Sequence, residues 1–242
     1  MRVVLIVIGV VFASFFLMNR CSQHADPTNA AQSDPIAQRQ QVLDQVVLLE
    51  PLKQYAPKDY EAMQQAANSE ADPDKIVATL RSPLWWKLRE IIEKRADDQG
   101  QKLWANAYLQ QLYNAKYHGN CFPISFPLYS RTSVEENRAL LHPSTQQKSA
   151  EALTYILTHL DGARSTLDSS YPPEGWSTVS ERLRSEYGDD AGLINAGETA
   201  EDKKKQCDVV ISTFEYMLAL PDEQQGRVIR WMLNTHISVA VF

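Results

Sequence analysis

The side chains that could carry out chemistry in this chain of 242 residues are few and scattered. His118 and Cys121 form an H-x-x-C pair, but such a pair supplies at most two ligands, whereas a structural zinc site takes four. The other histidines lie far from this pair and from one another along the sequence. We therefore expect neither a metal site nor a cofactor.

Sequence motifs of nucleophilic, nucleotide and dithiol chemistry are also missing. The chain contains no G-x-S-x-G turn, no P-loop and no C-x-x-C pair. Adjacent carboxylates such as Glu135-Glu136 and Asp189-Asp190 could in principle serve a hydrolase. Because neighbouring side chains diverge, we expect no catalytic residue there, and an envelope hydrolase with an unrecognised acid site stays open as an alternative.

The N-terminus carries an uncharged apolar run from Val3 to Met18. As a helix the run would measure about 24 Å, against a hydrocarbon core of about 30 Å. No small-x-small cleavage site follows it, and Arg20 stands where a lipoprotein cysteine at Cys21 would need a small residue. These features favour an uncleaved transmembrane signal-anchor over residues 1–20, with a cleaved signal peptide and a lipoprotein as alternatives.

The charges on either side of this run predict its orientation. Arg2 and the amino group precede it, whereas on the other side Arg20 is followed by His24, Asp26 and Asp34, which leaves a small positive bias at the N-terminal end. The positive-inside rule then places the N-terminus in the cytoplasm and the body outside, in the periplasm or extracellular space. We expect a single-pass protein of the inner (cytoplasmic) membrane, a flexible polar linker over residues 21–34, and a helical extracytoplasmic domain over residues 35–242.

Three cysteines fit an oxidising compartment, where disulfides persist. Cys121 and Cys207 are the expected pair, which leaves Cys21 beside the membrane. A leftover cysteine in an exported protein indicates a free thiol or an intermolecular bridge, so a homodimer through Cys21 is one expectation. Three reduced cysteines are the alternative.

Composition and periodicity predict an all-α fold. Only nine residues are glycine, and apolar residues recur at helical spacing along most of the chain. We expect a multi-helix bundle with two loops rich in proline and aromatic residues, and a solenoid of helix pairs remains open. Three helices are predicted with both ends, at Pro35 to about Glu50, at 101–117 and at Thr178 to Tyr187. One further helix is predicted to end at Leu80. For the others the sequence predicts the start, at Pro57, at Ser82, after Pro143, at Glu201 and at Pro221.

The spacing of the large apolar residues also predicts which of them are buried. Trp85, Trp104 and Phe214 fall on inward helix faces, and Trp231 is assigned to the core. Trp86, one residue after Trp85, is expected to be half-buried. The segment GDDAGLINAGE is interpreted as a loop, and the closing HISVAVF as either a short strand or more helix.

Binding residues are predicted in the two irregular loops, because loops on a rigid scaffold commonly carry function. Aromatic anchors near an arginine are typical of interface hot spots. The alternative is that these rings fold back over the ends of the bundle. The predicted binding residues are Phe122, Phe126, Tyr129, Arg131, Tyr171 and Trp176.

The charge balance excludes one class of partner. With 24 basic and 30 acidic side chains, the net charge is −6, which argues against nucleic acid. The sequence therefore predicts a protein anchored in the membrane through residues 3–18 that binds another protein, as an envelope assembly factor or an inhibitor or immunity factor does. A dimeric structural scaffold is the further alternative.

Overall fold

The computed structural model describes residues 35–72, 75–118, 121, 143–159, 171–196 and 202–235. Every regular element in these residues is helical, which confirms the predicted all-α class. Contacts divide the chain into two units, residues 1–38 and residues 39–242. The elements that follow the first helix all belong to the second unit.

The described residues form nine α-helices and one 3₁₀-helix. In chain order they are α1 (Pro35–Asp44), α2 (Leu49–Tyr55), α3 (Pro57–Asn68), α4 (Ile76–Arg95), α5 (Asp98–Tyr117), α6 (Pro143–Thr158), α7 (Trp176–Tyr187), the 3₁₀-helix (Gly188–Asn195), α8 (Lys203–Leu218) and α9 (Asp222–Thr235).

Helix α5 lies at the centre of the second unit, where it packs against α6, α8 and α9. Its sequence explains this position, because Trp104, Tyr108, Leu112 and Ala115 recur at helical spacing and are all buried, as predicted. Tyr108 meets Phe214 of α8 edge to face, with ring centroids 4.8 Å apart.

The predicted tryptophan environments are confirmed. Trp85, Trp104 and Phe214 are almost fully buried, and Trp231 also belongs to the core. Trp86 remains 50% exposed and packs edge-on against Trp85, with ring centroids 4.3 Å apart. The inward face of α4 was therefore assigned correctly from the sequence.

Two predicted helix boundaries at prolines are wrong. The first helix ends at Asp44, and Pro51 lies inside the first turn of α2, where a residue without an N–H loses no helical hydrogen bond. Pro83 lies in the interior of α4, which runs unbroken through the expected start at Ser82. Helical spacing places Ile36 on the apolar stripe of the first helix with Val42 and Val46, but Ile36 is exposed, so this assignment is wrong.

Burial explains why α4 continues through its proline. An interior proline costs a helix about 3 kcal/mol. Leu80, Leu84 and Leu88 lie before and after Pro83 on one apolar face, and all three are buried. Burying this continuous face outweighs the local cost, since each buried leucine contributes roughly 1.5–3 kcal/mol.

The disulfide is formed as the sequence predicts. Cys121 and Cys207 are joined, with their Cα atoms 5.8 Å apart. Both cysteines are buried, and Cys207 lies in the first turns of α8. The bond therefore ties the chain just beyond α5 to α8 inside the core.

Several predictions lie outside the described residues. They are the anchor over residues 3–18, the linker over 21–34, the segment HISVAVF, Cys21, and the loop residues Phe122, Phe126, Tyr129 and Arg131. In the part of the chain that is described, no helix has both the length and the apolar character of a membrane span. These predictions stay predictions.

Gly226 marks the closest approach between α9 and the start of α5. A Cβ atom at this position would lie 2.5 Å from the Cβ and 2.7 Å from the Cα of Asp98. The Gly226→Ala variant should therefore lower the free energy of unfolding by about 1–3 kcal/mol, although alanine favours helix.

Urea denaturation followed by circular dichroism would measure this effect. The matched control is Gly192→Ala, because a Cβ at Gly192 meets nothing within 4 Å. Equal stability of the two variants would contradict the close packing of α9 on α5.

Candidate functional site

Two of the predicted binding residues lie in the described part of the chain, and they have different environments. Tyr171 is 76% exposed. Trp176, the first residue of α7, is half-buried and packs on Trp231 of α9, with ring centroids 4.8 Å apart and planes 54° apart. Trp176 is therefore held in place by the core while part of its ring stays accessible.

Trp176 lines a groove of about 370 Å³ between α7 and the 3₁₀-helix, which we call the Trp176 groove. Its apolar surface comes from one ring and three aliphatic side chains, and its polar surface from four side chains, with two glycines completing it. The apolar residues are Trp176, Leu183, Ala191 and Ile194, the polar ones Ser180, Arg184, Asp189 and Asn195, and the glycines Gly188 and Gly192.

The turn between α7 and the 3₁₀-helix creates the groove. Gly188 adopts a φ of 58°, a left-handed conformation that glycine adopts without strain, and the chain turns back there. The segment predicted as a loop at 188–198 instead forms the 3₁₀-helix as far as Asn195. Ile194 is buried, and its burial draws this segment onto the bundle.

The outer wall of the groove is fixed to α8 by two polar contacts. Lys205 pairs with Asp190 at 2.7 Å. Gln206 donates through Nε2 to the carbonyl of Leu193 at 3.0 Å. Because both contacts are made by residues of α8, the 3₁₀-helix is held in a defined position opposite α7.

The start of α7 is fixed by a second glycine. Gly175 has a φ of 98°, which side-chain-bearing residues rarely adopt. A Cβ there would also lie 2.7 Å from Oε1 of Gln224 and 3.2 Å from Cδ1 of Leu220. Gly175 thus lets the chain approach α9 closely enough for Trp176 to reach Trp231.

Two opposite charges in the lining have no partner among the described residues. Neither the guanidinium of Arg184 nor the carboxylate of Asp189 makes a hydrogen bond or an ion pair there. Arg182, two residues before Arg184 on α7, lies instead over the Tyr216 ring at 5.6 Å. The groove therefore combines an apolar surface with one available cation and one available anion.

Helices α5, α7 and α8 are joined by tyrosine–glutamate hydrogen bonds. Tyr113 donates to Glu215, and Tyr216 donates to Glu186. The accepting carboxylate, with a smaller effect of burial, raises the pKa of each tyrosine to about 12. Lys116 and Asp208 add an ion pair at 2.8 Å between α5 and α8.

These raised pKa values predict a loss of stability at alkaline pH. The folded state holds each tyrosine proton more tightly than the unfolded chain, whose tyrosine pKa is about 10. The stabilisation is complete below about pH 10 and is lost as the pH rises from there toward the folded value. We expect the denaturation midpoint to fall between about pH 10 and pH 12, and to fall less in Tyr216→Phe.

Urea midpoints measured at several pH values would test this dependence. Tyr117→Phe is the control, because Tyr117 is 86% exposed and should leave the alkaline loss unchanged. The same pH dependence in wild type and Tyr216→Phe would contradict a role for the Tyr216–Glu186 hydrogen bond.

Sequence reasoning found Trp176 but missed the rest of the groove. Trp176, Ser180 and Arg184 recur every fourth residue and so share one face of α7. That spacing was a usable signal. It was not recognised because the opposite wall at 188–195 was interpreted as a loop.

The function has to be argued from this geometry. Comparison of the chain with protein-family models, curated proteins and solved structures finds no match. Among the described residues, no aspartate or glutamate is buried, and no group of three or more His, Cys, Asp or Glu side chains could hold a metal ion.

Proposed function

We propose that this chain is a membrane-anchored extracytoplasmic helical protein that binds another protein through the Trp176 groove. Such a module would serve as an envelope assembly factor or as an inhibitor or immunity factor. The observation that carries the proposal is a preformed groove of about 370 Å³ with an apolar surface and two charged side chains that have no partner among the residues that the structure describes.

The composition of the groove supports a peptide ligand. Binding pockets are commonly lined by apolar and aromatic side chains, with a few polar groups that fix orientation. Tryptophan and arginine are the residues most enriched at interface hot spots, and Trp176 and Arg184 both line the groove. Because both walls are packed against other helices, the entropy cost of ordering the site on binding would be small.

The membrane location rests on the sequence, with the disulfide as support. The apolar run from Val3 to Met18 favours an anchor. Disulfides persist outside the cytoplasm, so the bond between Cys121 and Cys207 fits a body exposed to an oxidising space. The groove would then face envelope or extracellular partners.

The alternatives gain no specific support in the described residues. A hydrolase needs a general acid with a raised pKa. The two carboxyl groups whose pKa is clearly shifted have a lowered pKa instead. The backbone N–H of Asp72 lowers the pKa of Glu70, and Lys87 lowers that of Glu90. A scaffold dimerised through Cys21 stays a prediction.

Photo-cross-linking in the protein's native cells would test the proposal. A photo-reactive residue replaces Ser185, which is exposed, adjoins Arg184 and lies outside the groove lining. The full-length chain should form one discrete adduct with another protein, detected as a band of fixed mass and identified by mass spectrometry.

The matched pair of variants at Gly192 ties this adduct to the groove. Space beyond Gly192 is open, so Gly192→Gln should fold normally while its side chain fills the groove, and Gly192→Ala should leave it open. The adduct should disappear with glutamine and persist with alanine. A chain that yields no adduct, or an adduct equally strong in both variants, would contradict binding through the groove.

A further inference from the structure

We propose that the Trp176 groove selects an internal peptide segment in which an apolar side chain is followed, a few residues later, by a single aspartate or glutamate. The apolar side chain would lie against Trp176, Leu183 and Ile194, and the carboxylate would pair with Arg184. This inference rests on the proposed function, because it names the ligand of the same groove.

The length of the groove limits the segment. Trp176 and Arg184 are eight positions apart on α7, which corresponds to about 12 Å along the helix axis. An extended peptide advances about 3.3 Å per residue, so roughly three to four residues would reach from one to the other. An apolar residue at the tryptophan and an acidic residue at the arginine would therefore have two or three residues between them in the peptide.

The charges in the groove determine which polar residue fits. Arg184 has no partner in the described part of the chain, and a guanidinium binds a carboxylate through two parallel hydrogen bonds. Arg182 is exposed on the same helix but already lies over Tyr216 at 5.6 Å. Arg184 is therefore the cation that a ligand in the groove can reach.

A second carboxylate in the ligand would be unfavourable. Asp189 also lines the groove and has no partner in the described ranges, so it would repel a second acidic residue and accept a hydrogen bond from a peptide N–H. The net charge of the chain is −6, which disfavours a strongly acidic partner at long range. The segment that fits carries one acidic residue in an otherwise apolar or basic context.

Phage selection followed by direct binding measurements would test this specificity. The full-length protein in detergent micelles is presented with a random peptide library, and selected sequences are resynthesised with both ends blocked, which removes the terminal carboxylate as an alternative ligand. We expect Asp or Glu to be enriched three or four positions after a large apolar residue. Exchanging that acid for its amide should weaken binding about tenfold.

Arginine variants supply the specific readout. Arg184→Gln should weaken binding about tenfold and abolish the difference between the acid and amide peptides, as expected for two interacting groups. Arg182→Gln is the matched control and should bind like wild type. Asp189→Asn should strengthen binding of peptides that carry two acidic residues.

The outcomes separate the two proposals. One outcome would overturn only the inference: the selected peptides lose binding in Gly192→Gln, but they lack an acidic residue or bind Arg184→Gln as well as wild type. The Trp176 groove would then still be the binding site. Selected peptides rich in basic residues would also overturn it and would identify Asp189 as the anchor. Failure to select any peptide, or binding unaffected by Gly192→Gln, would overturn both.

Discussion

Replacing Trp85 by alanine is expected to lower the free energy of unfolding by about 3–5 kcal/mol. Trp85 is 1% exposed and lies within the core beside Leu84 and Leu88. Its removal leaves a large cavity that the surrounding helices cannot fill, because each already packs against several others.

Trp86 provides the matched control for this loss. It is the same residue type in the same helix, one position later, but it is 50% exposed. Trp86→Ala removes an edge contact with Trp85 and a cation–π contact with Arg89 at 5.7 Å, so we expect a loss of only about 1 kcal/mol.

Urea denaturation of both full-length variants, followed by circular dichroism, would measure the difference. Fluorescence is unsuitable, since each variant removes one of five tryptophans. Equal losses in the two variants, or a larger loss for Trp86→Ala, would show that the inward face of α4 is wrongly assigned.

Removing the disulfide is expected to cost about 2–5 kcal/mol. The double variant Cys121→Ala, Cys207→Ala avoids leaving a free thiol in the core, where both cysteines are buried. The bond spans a sequence separation of 86 residues, so in the chain-entropy account its loss gives the unfolded chain much additional freedom.

Denaturation with and without a reducing agent would measure this cost. The wild-type midpoint should fall in reductant, because unfolding exposes the bond, and that of the double variant should be independent of reductant. Cys21→Ser is the control and should behave like wild type. A double variant as stable as wild type would contradict a structural role for the bond.

The parts of the fold that the sequence predicts are those governed by strong local periodicity. The buried residues of α5, from Trp104 to Ala115, follow from their spacing alone. Pairing Cys121 with Cys207 followed from the position of Cys21 next to the apolar run. In each case one dominant physical effect decides the result.

The parts that the sequence misses depend on tertiary packing. Proline is a local signal of a helix end, but Pro83 stays inside α4 because apolar residues on both sides of it are buried in one core. The 3₁₀-helix forms because Ile194 is buried and Gln206 of α8 holds the carbonyl of Leu193. Neither contact can be read from the local sequence.

The candidate site was predictable only in part for the same reason. An aromatic residue beside prolines and glycine singled out Trp176. Its neighbours Arg184 and Asp189 become significant only when α7 and the 3₁₀-helix form opposite walls. A groove between two elements can be predicted only if both elements are predicted, and the sequence indicates a loop where the 3₁₀-helix forms.

We propose that an N-terminal anchor holds a disulfide-closed, groove-bearing body outside the cytoplasm. Fractionation of the tagged full-length protein, followed by intact-mass analysis without reductant, tests it most directly. We predict a full-length species in the membrane fraction, lighter than the reduced chain by the two hydrogens of one disulfide. A shortened soluble species would contradict the anchor, and a full-length species with free thiols would contradict the oxidising location.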